Sequence, residues 1–442
     1  MKRESNGAGT VVVATVALGT FMSSFDSNAV NMALPLIQRS YGSPVSAVEW
    51  VIVAYLLAVS ASLLTFGRLA DMWGRKRLYV SGFAGFTVTS LFSALSPTIG
   101  ALIFCRFLQG LCASVMMSCA NAIVLGAVSA DNRGKALGTT AMAVALAACA
   151  GPALGGLLAM KLGWKSIFLV NLPIGIVGTI LAVRKIQPDA GRSKERFDMV
   201  GSLLVAAALC IVVLSLDLLS AKTALSRLAW IAMAAGVVLV LVFILFEARS
   251  LHPILSVRLF GNRVFAAGNL AATCFYVSVF IMVFLGPYFL QGTRGLSPSM
   301  SGVMMLPMSL AMIFVAPLSG ALSDRFDGRW FSCAGVVVLA LGEAIMAGFT
   351  PFTPSWQILC SFAAIGAGVG LFQTPNNSAI MGSVAERFRG IGGATLATIR
   401  NVGMALGEAL SAALLASCMA SRGFQLSLGS PISTAWAGSF SF

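Results

Sequence analysis

From end to end the chain alternates long apolar runs with short polar breaks, and runs of roughly 18 or more apolar residues can cross a hydrocarbon layer about 30 Å thick as a helix. Read against that punctuation, they predict thirteen spans, near 10–37, 47–69, 78–96, 99–126, 136–160, 166–184, 199–217, 229–247, 264–290, 300–322, 331–350, 357–381 and 392–418. Helix is required because a lipid-exposed backbone has to satisfy its own hydrogen bonds. The first run carries Asp26 and has no small-residue cleavage site after a short core, so it predicts a retained span and not a signal peptide. The tail from Arg422 to Phe442 ends in Ala435-Trp436-Ala437-Gly438, the opening of another span that stays incomplete.

Composition turns this pattern into a class. Of 442 residues, 58% are hydrophobic and 10% charged, against roughly 45–50% and about 25% in a soluble domain. A formal charge of +14 would suit nucleic acid if it formed one basic face, but the Lys and Arg residues sit in short loops. With the N-terminus inside, one set of alternate loops holds Arg75-Lys76-Arg77, Arg133, Lys135, Arg184-Lys185, Arg192, Lys194, Arg196, Arg249, Arg258, Arg263, Arg325, Arg329, Arg387 and Arg389. The opposite set holds Arg39, Lys161, Lys165, Lys222, Arg227, Arg294 and Arg422. That asymmetry predicts a multi-pass protein of the cell (inner or plasma) membrane with a cytoplasmic N-terminus, whose partner is the lipid bilayer and not nucleic acid. The nine Cys residues, Cys105, Cys112, Cys119, Cys149 and Cys210 among them, include no CxxC pair, so neither a disulfide framework nor a metal site is expected. There is no Gly-x-x-x-x-Gly-Lys-Ser/Thr phosphate loop, and the lone His252 has no nucleophile–base set, so no cofactor and no enzyme are expected.

The two halves of the chain repeat one another. Gly67-Arg68-Leu69-Ala70-Asp71 recurs as Gly320-Ala321-Leu322-Ser323-Asp324, Gly74-Arg75 as Gly328-Arg329, Arg133-Gly134 as Arg389-Gly390 and Asn121 as Asn377. Parallel repeats of this kind place a substrate site near the midplane between two bundles that rock to expose it to each side in turn. The chain therefore predicts an all-α membrane protein: an N-terminal six-helix bundle (1–190), an inserted two-helix segment with cytoplasmic flanks (191–262) and a C-terminal bundle of five spans plus the start of a sixth (263–442).

Gly67-x-x-x-Asp71-x-x-Gly74-Arg75-Lys76-Arg77 resembles the hallmark loop of the major facilitator superfamily. The chain as a whole is similar to that superfamily's fourteen-span drug:proton antiporter branch. The further residues that carry this likeness are Asn31-Met32-Ala33-Leu34-Pro35, Arg106-Phe107-Leu108-Gln109-Gly110, Gly151-Pro152-Ala153-Leu154-Gly155-Gly156 and Trp164 to Pro173. The resemblance implies the major facilitator fold, two six-helix bundles related by a pseudo-two-fold axis plus a central inserted pair. It implies a conformational latch at Gly67, Asp71, Gly74 and Arg75, with Asp324 and Arg329 in the second half. It also implies a proton-transfer role for Arg106 and an antiporter motif in Gly151, Pro152, Gly155 and Gly156. Independently, Ala147, Gly151 and Gly155 are spaced to give one small-residue face for close packing, while Pro152 bends the helix.

Charges inside spans are usually functional. Asp26, Glu343 and Glu408 are the deep carboxylates; Glu49 and Asp217 sit near span ends and read as solvated. Ser23, Asp26, Ser27 and Asn31 form a polar stripe, as do Arg400, Met404, Glu408 and Ser411, and the resemblance turns both stripes toward the central cavity. Asp26, Glu408, Arg106 and Glu343 are thus the proton and substrate coupling candidates. Asn31, Met304, Met308, Gln373, Asn376, Asn377, Arg400 and Met404 are the cavity candidates, the methionines suiting many apolar shapes. The function implied is proton-coupled export of small lipophilic or cationic compounds by a monomer. The alternatives are a dedicated exporter of one metabolite or antibiotic and, less well supported, a channel or non-transporting receptor.

Overall fold

The computed structural model describes residues 2–129, 132–188, 201, 204, 207–208, 210–212, 214–215, 226–249, 257–323, 325–384 and 389–421. They are helical almost throughout. The first half runs α1 (Lys2–Tyr41), α2 (Val45–Trp73), α3 (Arg75–Leu95), α4 (Ile99–Ala127), α5 (Arg133–Leu162), α6 (Lys165–Leu169) and α7 (Asn171–Lys185). After α8 (Ser226–Arg249), the second half runs α9 (Arg263–Tyr288), α10 (Pro298–Ser323), α11 (Gly328–Ala347), α12 (Ser355–Gly382) and α13 (Arg389–Ser421).

Ten membrane-length apolar helices are found among the described residues. The predicted spans 47–69 and 392–418 fall within α2 and α13. Most of the predicted seventh span, and the incomplete run in 422–442, lie outside the described residues. Phe92, Trp230, Leu270 and Phe314 are 56–73% exposed on the outer faces, where lipid and not water is the fitting solvent.

Two predicted spans differ from simple helices, and proline accounts for both. The sixth breaks at Val170 into α6 and α7, because Pro173 has no N–H to give the Leu169 carbonyl and is tolerated only within the first turn of a new helix. The ninth continues past Pro287 into a π-helical turn, Phe289–Thr293, since the missing N–H loosens the ladder there.

Within the first half α1 packs on α5, and α4 on α2 and α3; within the second α12 packs on α10 and α11, and α9 on α13. The halves meet where α5 lies on α10 and α2 on α13. The contacts between α5 and α10 at this seam join the second half of α5 to the first half of α10. A Cβ on Gly156 would lie 2.3 Å from the Pro298 carbonyl oxygen, and one on Gly302 2.1 Å from that of Pro152, so only glycine permits this approach. Ser309 donates to the Ala148 carbonyl (2.9 Å), and Gln291 to that of Met32 (3.0 Å).

Candidate functional site

A buried ion pair organises the first half. Asp26 of α1 and Arg106 of α4 are both fully buried, and Arg106 Nη1 donates to Asp26 Oδ2. A buried charge pair holds only if its remaining lone pairs and protons are satisfied. Here Arg106 Nη1 also donates to Gln109 Oε1 (2.7 Å) and Nε to the Val51 carbonyl (2.9 Å), while Nη2 is buried without a hydrogen-bond partner among the described residues. The Tyr55 ring lies 4.4 Å from the guanidinium carbon, in cation–π range. Asp26 Oδ1 accepts from Asn171 Nδ2 (2.7 Å) and Gln109 Nε2 (3.3 Å), and Gln109 reaches on to Ser90 Oγ (2.8 Å). The network draws on α1, α2, α3, α4 and α7, and the named partners of Asp26 all belong to the first half.

The sequence reading gave Gln109, Asn171, Ser90 and Tyr55 no role. Gln109 carried a signal, since it lies one helical turn from Arg106 on the same face. Asn171 heads the helix that Pro173 forces to begin anew, so its amide is placed by a backbone break.

Glu408 stands at the seam. It is fully buried, and neither carboxylate oxygen has a hydrogen-bond partner among the described residues. Asn31 of α1 lies beside it, without a hydrogen bond of normal geometry between the two. Glu49, read from the sequence as solvated, is 1% exposed near the start of α2. The correction has a plain cause: α13 covers that end of α2, and no local pattern announces it. Asp217 lies outside the described residues.

The other candidates are dispersed. Glu343 is half-buried on α11 and accepts from Ser278 Oγ of α9 at 2.8 and 2.7 Å, within the second half. Met304 and Met308 pack into the core of the second half, whereas Met404 touches the cores of both. Asn376 donates to the Gly268 carbonyl (3.2 Å), while Gln373 and Asn377 are half-buried on the same helix. Arg400 lies near Tyr276, its Nε without a hydrogen-bond partner among the described residues. Gly151 and Gly155 seat α5 on Asn28 and Ala29 of α1.

At the latch, Gly67 lies within α2, and Gly74 turns the chain into α3 with φ +99°, leaving Arg75 as the first residue of α3. Asp324 and the Asp71 side chain lie outside the described residues. Arg329 is exposed and sits 3.9 Å from Asp327, which also caps α11 by accepting from the Arg329 backbone N–H (3.0 Å). Among the described residues no cluster of three or more His, Cys, Asp or Glu is placed to hold a metal ion.

Comparison with known proteins follows the same outline. The family model described as Major Facilitator Superfamily matches residues 16–408. The riboflavin transporter RibZ of Clostridioides difficile (strain 630) is 32% identical over 92% of this chain and 88% of its own. The multidrug resistance protein Stp of Mycobacterium tuberculosis (strain CDC 1551 / Oshkosh) is 32% identical over 90% of this chain and 74% of its own. Among solved structures, a bacterial homolog of the human lysosomal transporter Spinster, inward-facing and unoccupied, superposes with a TM-score of 0.68 at 16% identity, covering 98% of this chain and 92% of that one.

Proposed function

Because the chain belongs to the major facilitator superfamily, it is a multi-pass secondary transporter of small molecules and not an enzyme, and we propose that it exports lipophilic or cationic compounds in exchange for protons. The observation that carries this reading is the pair of fully buried carboxylates, Asp26 held by Arg106 and Glu408 at the seam without a hydrogen-bond partner among the described residues. An ionised carboxylate without a partner in a dry interior carries a desolvation cost of several kcal/mol, which a proton or a bound cation removes. Proton and substrate then compete for the same oxygens, and whichever is bound biases the arrangement of the halves. One proton moving down about 100 mV releases about 2.3 kcal/mol, enough for a gradient of about 40–50-fold at one-to-one coupling.

The chain's likeness to multidrug resistance proteins supports breadth of substrate. Its likeness to a riboflavin transporter supports the second reading, a carrier dedicated to one metabolite. Ethidium and riboflavin efflux from energised cells separates them, with Asp26→Asn and Glu408→Gln as controls for coupling. Each variant is expected to lower proton-driven efflux by about tenfold or more, which corresponds to about 1.4 kcal/mol. Unchanged efflux in both would end the carboxylate reading, and movement of riboflavin alone would favour the dedicated carrier.

A further inference from the structure

Asn31 of α1 and Glu408 of α13 lie side by side from opposite halves, the amide next to the carboxylate without a hydrogen bond of normal geometry. Both residues are 3% exposed or less. Glu408 Oε1, Glu408 Oε2 and Asn31 Oδ1 are buried acceptors, and none of the three has a hydrogen-bond partner among the described residues. Pro35, four residues after Asn31, has no N–H, so the Asn31 backbone carbonyl also lacks its helical donor.

Small residues flank the carboxylate and aromatic ones stand across from it. Ala405 and Ala412, one turn to either side of Glu408 on the same face of α13, are buried in the cluster that also holds Phe284 and Tyr288. Gly407 seats α13 closely on α9, where a Cβ would lie 2.5 Å from the Val277 carbonyl oxygen. Phe284 and Tyr288 of α9 stack at 5.1 Å, and the Tyr288 hydroxyl is in electrostatic range of Glu408. The free acceptors thus adjoin an apolar, aromatic surface that suits the hydrocarbon part of a guest.

The acceptors select the kind of cation. A carboxylate in a dry interior needs a positive charge beside it, and each buried acceptor needs a hydrogen. A primary ammonium brings one charge and three N–H donors. A quaternary ammonium brings the charge and no hydrogen, leaving all three oxygens bare. Hard metal ions such as calcium and magnesium take six or more oxygen ligands, and among the described residues no cluster of three or more His, Cys, Asp or Glu is placed to hold one. Arg400, two helical turns or about 12 Å back along α13, lies near Tyr276 and makes no bond to the carboxylate. We propose that Asn31 and Glu408 together receive the head group of organic cations that carry N–H on the charged nitrogen, Glu408 matching the charge and Asn31 Oδ1 accepting one of the hydrogens. Binding forms and breaks no covalent bond. The proposal rests on the reading of Glu408 as a coupling group, narrows the substrate class and makes Asn31 a specificity residue.

The test is calorimetric binding of 4-phenylbutylamine and its N-methyl, N,N-dimethyl and N,N,N-trimethyl derivatives to the full chain in lipid nanodiscs at neutral pH, where all four are cations, with empty nanodiscs subtracted. Affinity should fall along the series, by about 100-fold or more from the primary to the quaternary compound. Asn31→Ala should shrink that ratio by about tenfold while leaving the quaternary compound within about twofold, Asn31→Asp should keep the preference, and Glu408→Gln should weaken all four. Equal affinities across the series in the native chain, which needs no variant, overturn the proposal and leave the transport reading intact. Binding of none of the four overturns it too, and the transport reading falls with it only if the native chain also moves neither ethidium nor riboflavin. A loss in Asn31→Ala that is the same for all four compounds makes Asn31 a structural residue and removes it from the site.

Discussion

Breaking the Asp26–Arg106 pair from either end should cost more than removing it whole. In Asp26→Asn the guanidinium keeps its bonds to Val51 and Gln109 and its place over Tyr55, but its charge is buried without a counter-charge. In Arg106→Gln the carboxylate retains two amide donors, Asn171 and Gln109, so its exposure to an uncompensated charge is partial. Orphaning one partner of a buried pair costs about 3–5 kcal/mol, and we expect Asp26→Asn at the upper end and Arg106→Gln at the lower. The double variant leaves neutral amides on both sides, so the losses should fall short of additive by about 2–3 kcal/mol. Reversible unfolding of the four proteins in mixed micelles, followed by Trp fluorescence, measures this cycle. Additivity within about 0.5 kcal/mol would mean that the two charges do not sense each other, and the network described above would be wrong.

Two further outcomes follow from packing. A Cβ at residue 302 meets the Pro152 carbonyl oxygen, a backbone atom with little freedom to yield; overpacking of this kind costs about 1–3 kcal/mol, so Gly302→Ala should open the seam and speed thiol labelling of Ser309→Cys by about tenfold, whereas equal labelling rates would contradict that packing. Glu343→Gln keeps an acceptor for Ser278 and lies away from the seam, so stability should change by less than about 1 kcal/mol and efflux by less than about twofold; a loss of efflux comparable to Asp26→Asn would return Glu343 to the coupling set.

The spans were legible because their apolar length is a local property of the chain. Asp26, Arg106 and Glu408 stood out for the same reason, as charges where charges are costly. What could not be read was who meets whom. Asp26 and Arg106 are 80 positions apart, and their pairing depends on the contact of α1 with α4. The two carboxylates both read as cavity-facing, yet the described partners of Asp26 lie inside one half, while Glu408 faces the seam. Glu49 misled because its position near a span end is a sequence property, while its burial is set by α13. The split between α6 and α7 was missed although Pro173 announced it, because an apolar run conceals a break that costs no hydrophobicity.

Strong and weak contacts are partitioned between the halves and the seam. Inside the first half, where no rearrangement is needed, the protein places a charged pair with several supporting hydrogen bonds. Across the seam the named polar contacts are neutral side chains on backbone carbonyls. Ser309 uses the carbonyl of Ala148, which Pro152 has deprived of its helical donor, and Gln291 uses Met32, next to the Asn31 carbonyl orphaned by Pro35. Each such bond is worth about 0.5–1.5 kcal/mol net. A carrier that alternates between two states needs them within a few kcal/mol of each other. Neutral bonds and small-residue packing keep the seam in that range, whereas an ion pair of the Asp26–Arg106 kind across it would hold one state shut.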